Sequence, residues 1–321
     1  MNPSYQQFYE RLKQAERVFV VTHLHPDGDA IGALGFMIQW LEALGKRYTA
    51  YTAGPLPHNF SYVPGYFSMV TDADRFALSD YDLIISVDCA NLARTALAPL
   101  ISARRADQFY IEIDHHPSHE GGSNLAIREE GAASTTEILY HIAQEVGLRL
   151  TQPMARCLLT GILTDTGNFM FPTTSQRTIA AASDMLLGGA SLAKIVGYTE
   201  RNKTLADLKL WGMAMARLTF RADYGIAYTV LTPEDFEASG ADEGAIAGLA
   251  EFICSLPEVG VILVLRDDGE GNLRGNFRTM RHDIDVSRLA RRLGGGGHHK
   301  AAGFSVRGRL ARTATGWRVE M

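Results

Sequence analysis

Four short stretches of the chain bring acidic and imidazole side chains to the ends of apolar runs. They are His23-Leu24-His25-Pro26-Asp27-Gly28-Asp29 after VFVVT, Asp88 at the end of LIISVD, Asp114-His115-His116 at the end of FYIEID, and Asp165 within TGILTDTG. Gathered in one place, Asp27, Asp29, Asp88 and Asp165 would bring four negative charges together, each costly if left unpaired in a dry cleft. Two divalent cations would neutralise them. Mixed carboxylate and imidazole ligation suits Mn²⁺ best, with Mg²⁺ or Co²⁺ as alternatives. Two metals about 4 Å apart can acidify a bridging water and clamp a phosphoryl group, so the chemistry implied is phosphoester hydrolysis. Each piece alone has an ordinary explanation, since Asp-Gly is a common turn and a strand-end Asp often caps the next helix. The argument lies in all four occurring together.

For these groups to meet, the apolar runs must end on one rim. Residues 18–22, 48–52, 83–87 and 109–113 read as strands, separated by lengths suited to helical crossovers. Helical spacing follows over residues 30–44, 134–146 and 154–164. This pattern predicts an α/β fold, a largely parallel sheet with helices on both faces, whose ligands bind beyond the carboxyl ends of the strands. A helical stretch from 175 to 218, interrupted by Gly188-Gly189, leads to a different texture. There, strand candidates at 226–231 and 259–266, a turn at 267–272, a strand through Phe277 and a helix over 286–292 predict a smaller α/β domain. The expected division is a catalytic domain over 1–187, a linker or hinge over 188–204, and a C-terminal substrate-binding domain over 205–321.

Net charge is −5, but from Gly271 onward eleven Lys/Arg stand against three Asp/Glu, leaving the rest of the chain strongly acidic. An acidic protein binds long nucleic acid poorly, whereas a local basic wall suffices for a ligand with a few phosphates. The three cysteines, Cys89, Cys157 and Cys254, are widely spaced and form no CxxC, which argues against a disulfide framework or thiolate zinc and fits a cytoplasmic protein. No apolar run reaches membrane-spanning length, so no membrane partner is expected.

The motifs HxxPDxD, a lone strand-end Asp, DHH and TDTG, in that order, resemble those of the DHH phosphoesterases. The run Gly294-Gly-Gly-Gly-His-His-Lys-Ala-Ala-Gly303 is similar to the glycine-rich signature of the DHH-associated C-terminal domain. The resemblance covers nearly the whole chain. It implies one metal site from His23, Asp27 and Asp88, and a second from Asp29, Asp88, His115 and Asp165, with Asp88 bridging. It implies that His116 faces the scissile phosphate as electrophile or general acid, and that Arg94 and Arg278 contact substrate. Glycine lets backbone amides approach a phosphate closely, so Gly296 and Gly297, with His298 and Lys300 as side-chain donors, are expected to hold substrate anions.

Within the family, processive exonucleases carry extra nucleic-acid-binding domains for which this chain has no residues left. The pyrophosphatase branch lacks the GGGH signature, and the membrane-bound phosphodiesterases carry transmembrane segments. The compact group that hydrolyses oligoribonucleotides of roughly two to five residues and 3′-phosphoadenosine 5′-phosphate (pAp) is the nearest match. A soluble hydrolase of cyclic dinucleotides or linear pApA is the rival, and a nucleotide-binding sensor without catalysis is the alternative of another class. The intact ligand set argues against the sensor. A homodimer is expected from the resemblance alone.

Overall fold

Val18 and Val20 face one side of the first strand and Phe19 and Val21 the other, and all four are fully buried. A strand covered on both faces reads as a continuous apolar run, as RVFVV does. The computed structural model describes residues 2–117, 122–199, 203–254, 256, 258–281, 283–297, 299–313 and 316–320. Its compact units comprise residues 1–201 and 202–321.

The N-terminal unit contains, among the described residues, α1 (Pro3–Gln14), β1 (Arg17–Val21), α2 (Gly28–Ala43), β2 (Arg47–Tyr51), β3 (Leu83–Val87), α3 (Ala98–Ser102), β4 (Phe109–Asp114), β5 (Leu125–Arg128), α4 (Thr135–Glu145), α5 (Gln152–Asp165), α6 (Gln176–Leu187) and α7 (Leu192–Thr199). The strands form a parallel sheet in the order β2-β1-β3-β4-β5. One face packs Val18, Val20, Ile85 and Ile113 against α1, α2, α4 and α5. The other packs Phe19, Val21, Ile84 and Tyr110 around Leu97 and Ile101 of the α3 region. The expected parallel α/β sheet covered on both faces is therefore what forms; the short strand β5 was not foreseen.

Two helices meet unusually closely. A Cβ added to Gly32 of α2 would lie 2.6 Å from the Cys157 carbonyl of α5, and one added to Gly28 would lie 2.3 Å from the Thr164 side chain. The reciprocal position on α5 is Gly161, where a Cβ would lie 2.3 Å from both Asp29 Oδ1 and Thr136 Oγ1. Glycine weakens a helix by about 1 kcal/mol relative to alanine. Here it permits backbone contact that brings the start of α2 beside the end of α5. The stretch expected as a linker contains α7, whose Ile195 is buried in the N-terminal core and whose Tyr198 stacks on Tyr62 with centroids 4.5 Å apart.

The C-terminal unit contains α8 (Leu205–Ala216), β6 (Thr219–Arg221), β7 (Ile226–Leu231), α9 (Pro233–Ser239), α10 (Leu249–Ile253), β8 (Val261–Asp267), β9 (Asn272–Arg278), α11 (Val286–Arg292), β10 (Gly296–Gly297), β11 (Ala301–Arg307), β12 (Arg309–Thr313) and β13 (Gly316–Glu320). Its main sheet is mixed, in the order β10-β11-β9-β8-β7-β6, and β12 and β13 form a hairpin. The second domain is thus α/β as expected. The strands after residue 300 were not expected, although β11 alternates Ala302, Phe304 and Val306 with Gly303, Ser305 and Arg307; the alternation is short and follows directly on the glycine run.

Asp235 closes the start of α9 by accepting from the Thr232 amide at 2.8 Å, and both its oxygens meet the Arg217 guanidinium. Burial works against its charge, but Arg217 and the Thr232 amide outweigh burial and hold its carboxyl below the usual range. A depressed folded pKa stabilises above the unfolded value of about 3.9 and loses that contribution as pH falls through the folded value. Asp235→Asn is therefore expected to lower stability by about 2 kcal/mol near neutrality. In denaturant titrations across pH, that gap should close below pH ~4; a gap constant with pH would show that the charge is not what matters.

Candidate metal centre and active site

In the N-terminal sheet the strand order reverses between β1 and β3, and open parallel sheets bind ligands beyond the carboxyl ends at such a point. His23 follows β1, Asp88 follows β3, and Asp114 ends β4. The loops there are held in a tight conformation. His25, Asp88, Ala90, Asn168 and Phe169 all have left-handed φ between 56° and 70°. Such backbone costs on the order of 1 kcal/mol or more per residue and persists where the surroundings over-determine it, commonly at functional sites. For Asp88 the restraint includes its own amide, which donates to the Ile113 carbonyl of β4 at 3.1 Å.

Among the described residues, three overlapping sets of donor atoms result, each with its atoms within 4.8 Å of one another. They are His23, Asp27 and Asp88; Asp88, His115 and His116; and Asp29, His115 and Asp165. His23 Nε2 lies 3.7 Å from carboxylate oxygens of both Asp27 and Asp88. His115 Nε2 lies 3.7 Å from Asp88 Oδ1 and 3.3 Å from Asp165 Oδ2. Asp88 and His115 are the shared members. The six residues that the family pattern implies as ligands fall within these sets, and His116, given no ligand role by that pattern, falls with them.

Asp29 is fully buried at the start of α2, where it meets the N-terminus of α4. Its Oδ2 accepts from the Thr135 amide at 2.6 Å, and its Oδ1 accepts from the Thr136 amide at 3.0 Å and hydroxyl at 2.6 Å. Amides at a helix start carry partial positive charge and favour an anion there. Even so, burial and the Asp88 charge push the Asp29 carboxyl well above the ordinary range, against the Thr136 bonds. The Thr135 hydroxyl also donates to Asp88, at 3.2 Å. The helix start is itself braced by Glu137, which accepts from the Ala133 amide at 3.0 Å and the Thr178 hydroxyl at 2.9 Å.

His23 shows the opposite response. Burial disfavours its charge, but Asp27 and Asp88 overcome burial and push its pKa up to about 10. His115 is shifted down, chiefly by burial. The crevice therefore carries more negative charge than its own residues neutralise, and its donors are carboxylate oxygens and imidazole nitrogens. The neighbouring thiol of Cys89 is buried and pushed far up by burial and the Asp114 and Asp88 charges, which makes it a core residue. Such a donor set fits divalent cations of the Mg²⁺ and first-row kind.

Asp114 was part of the DHH triplet but had been given no role of its own. It is buried, accepts from the His116 amide at 2.9 Å and the Ala90 amide at 2.6 Å, and lies 2.7 Å from His116 Nδ1. Burial would raise its pKa, but His116 and these amides lower it to about 2. An ionised Asp114 fixes the His116 tautomer, with Nδ1 as donor, and its ring orientation. The signal was the first letter of the triplet itself, one residue closer to the strand than the ligand. The helix start Ala133-Ser-Thr-Thr-Glu137 resembles the same family group in sequence, but nothing in the sequence assigns Thr135 and Thr136 to Asp29. Arg94 sits beside the crevice: its carbonyl accepts from the Leu24 amide at 2.6 Å. Desolvation opposes ionisation of Asp27, but His23, the Ala30 amide and Arg94 hold its carboxyl low.

In the C-terminal unit, an open cavity of about 860 Å³ lies on the face of the sheet that carries Arg266, Arg274, Asn276 and Arg278. Arg278 is paired with Glu251, and Gly297 lines the same cavity. The glycine run is not a loose loop. Gly296 and Gly297 form β10 against Gly303 and Ala302. A Cβ on Gly297 would lie 2.5 Å from the Ala301 carbonyl, and one on Gly295 would lie 2.1 Å from that of Gly303. Lys300 turns its Nζ to the Arg281 carbonyl and does not line the cavity, nor does Gly296. His298 lies outside the described residues.

An open parallel sheet with carboxylates and imidazoles crowded at its switch point is a site suited to divalent cations. The chain matches the DHH family, N-terminal domain, over residues 17–162 and the DHHA1 domain over residues 223–314, and it belongs to the DHH phosphoesterases. It is 29% identical to the bifunctional oligoribonuclease and PAP phosphatase NrnA of Thermus thermophilus, over 93% of this chain and 87% of that protein. Identity to the protein of the same name from Bacillus subtilis is 25%, over 91% and 90%. An exopolyphosphatase-related protein from Bacteroides fragilis has the same fold, with a TM-score of 0.90 at 24% identity over 96% of this chain and 92% of its own.

Proposed function

We propose that the chain hydrolyses short oligoribonucleotides of a few residues to mononucleotides, and pAp to AMP, using two divalent metal ions. The observation that carries this reading is the overlap of the donor sets through Asp88 and His115 at the carboxyl ends of β1, β3 and β4. The names of the relatives from Thermus thermophilus and Bacillus subtilis supply the substrate class. His23, Asp27 and Asp88 would hold one ion, and Asp29, Asp88, His115 and Asp165 the other; Mn²⁺ suits these ligands best. Bound there, the ions would supply an acidified water and a clamp for the phosphoryl oxygens.

The protein's own groups do the rest. The start of α4 holds Asp29 and Asp88 rigidly, so the charge that must face the cations is preorganised. Asp114 fixes His116 through Nδ1, leaving Nε2 as the nitrogen to meet the phosphate. In hydrolysis, water oxygen bonds to phosphorus, the P–O ester bond breaks, and the departing oxygen takes a proton. His116 would give that proton or stabilise the charge it would quench. Arg94 adds a cation beside the crevice.

The test is product analysis with Mn²⁺, offering pAp and a 5′-phosphorylated RNA dinucleotide separately. AMP from the first and mononucleotides from the second support the reading. No turnover of either by metal-loaded protein overturns it and redirects the search to cyclic dinucleotides.

A further inference from the structure

The starts of α4 and α6 share one carboxylate. Glu137 is the third residue of α4 after the Ser134 cap, and in an ordinary capping box its side chain would return to the amide of the cap residue. Here Oε2 accepts instead from the Ala133 amide at 3.0 Å and from the Thr178 hydroxyl of α6 at 2.9 Å, 41 residues further on. His141 Nε2 lies 3.5 Å from the other oxygen. Glu137 and Thr178 are both buried. Burial works against the Glu137 charge, but His141, the Ala133 amide and the Thr178 hydroxyl outweigh it and hold the carboxyl below its ordinary range. A carboxylate is costly to bury and a helix start can be capped without one, so the bond to a second helix is the informative one.

That bond joins two routes to the metal centre. On one side, the Thr135 and Thr136 amides of α4 hold Asp29, and the Thr135 hydroxyl donates to Asp88. On the other, the chain leaving Asp165 makes a left-handed turn at Gly167, Asn168 and Phe169, with φ of 55°, 59° and 70°. It is then tied down step by step. The Phe169 amide donates to the Thr166 hydroxyl oxygen at 3.0 Å, the Phe171 amide to the Thr166 carbonyl at 2.8 Å, and the Thr174 amide to the Phe171 carbonyl at 3.0 Å. The run ends in the reciprocal cap of α6, where the Ser175 amide donates to the Thr178 hydroxyl oxygen and the Thr178 amide to that of Ser175, both at 3.1 Å. Thr178 Oγ1 therefore accepts within its own cap and donates to Glu137.

We propose that Glu137 is a positioning residue of the metal centre, whose bond to Thr178 sets Asp29 and Asp165 in one frame so that both serve the same ion. This rests on the two-ion reading given above.

Two variants test it. Thr178→Val keeps the size and removes the donor, leaving the Ala133 bond in place; Glu137→Gln keeps the shape and removes the charge. Mn²⁺ binding to the full-length proteins is followed by calorimetry well below the melting temperature, and the loaded proteins are compared by electron paramagnetic resonance. Thr178→Val is expected to weaken one of the two Mn²⁺ binding steps about tenfold, the low end of what partners outside the ligand shell contribute. The other step should change little, and the share of magnetically uncoupled Mn²⁺ should rise. For the dinucleotide, kcat should fall with KM little changed, and added Mn²⁺ should recover part of the loss. Glu137→Gln should act in the same direction and more strongly; if it fails to fold, Thr178→Val decides alone. Asp235→Asn, which lowers stability in the C-terminal unit, is the control and should leave both steps as they are. A Thr178→Val protein that melts earlier with unchanged Mn²⁺ binding, or that weakens both steps equally, overturns the positioning role. A wild-type protein that takes up fewer than two Mn²⁺ rejects the two-ion reading and this proposal with it. One that takes up two yet turns over neither pAp nor dinucleotide rejects the proposed substrates, and the binding measurement still decides the role of Glu137.

Discussion

Asp88→Asn is expected to abolish metal-dependent hydrolysis almost completely while leaving the metal-free chain close to its original stability. Asp88 belongs to two of the three donor sets, and the family pattern makes it the bridging ligand of both proposed metal positions, so its loss is expected to remove a ligand from each. If the ions contribute several kcal/mol of charge stabilisation, kcat/KM falls by about 10³-fold or more. Asn is the substitution to make because Asp88 has a φ of 56°, a region that Asn adopts at less cost than Ala. In the metal-free chain two effects oppose each other. The His23 imidazolium loses one of two carboxylate partners, and Asp29 loses the Asp88 charge that disfavours its ionisation. What disappears is the stabilisation by metal, about 2.7 kcal/mol at a concentration one hundred times Kd. Thermal melts with and without Mn²⁺ would read this directly. A variant that keeps both the Mn²⁺-induced rise and wild-type turnover would remove Asp88 from the centre.

The second large effect concerns a residue with no functional group. In a helix, Gly→Ala ordinarily stabilises by about 1 kcal/mol. At Gly161 the new methyl would sit 2.3 Å from Asp29 Oδ1 and from Thr136 Oγ1. Both are buried, and both belong to the bond network at the start of α4. Overpacking of this kind costs about 1–3 kcal/mol. Displacing a ligand by about 1 Å costs activity on the order of 10²-fold. Gly161→Ala should therefore lose both stability and turnover, with weakened Mn²⁺ binding. Gly197→Ala in α7, where a Cβ would meet nothing within 4 Å, serves as the control and should be neutral or slightly stabilising. Matching results at the two positions would show that the α2–α5 contact does not set the ligand geometry.

Gly161 also marks the limit of what the sequence disclosed. The four clusters were legible because metal chemistry needs specific side chains and strand ends place them, and parallel β1, β3 and β4 follow from their apolar, β-branched runs. The supports were not legible. Thr135 and Thr136 are ordinary residues at an ordinary helix start, and only the packing of α2 on α5 carries Asp29 to them. Asp114 differs from a ligand by the direction of one side chain. In the C-terminal unit, β11 carries the alternation Ala302, Phe304 and Val306, but its pairing with β9 depends on a register that no local pattern encodes. For the glycine run, sequence reasoning gave Gly296 and Gly297 a role at phosphate; the structure adds that Gly295 and Gly297 are needed for β10 to lie against β11.

The proposed ligands come from four separate places in the chain, from His23 to Asp165, and α5, which carries the last of them, follows β1, β3 and β4 in sequence. During synthesis the N-terminal segments emerge first. An early fragment therefore holds acidic side chains with no geometry in which to retain an ion. Zinc-finger peptides fold around their metal. If the proposed ions bind as their ligands' spread along the chain implies, the order here is reversed, and loading is expected to follow formation of the sheet. Removal of the metal by chelation should accordingly leave a folded, refillable protein, and which cation occupies it would be decided by what is abundant when folding ends.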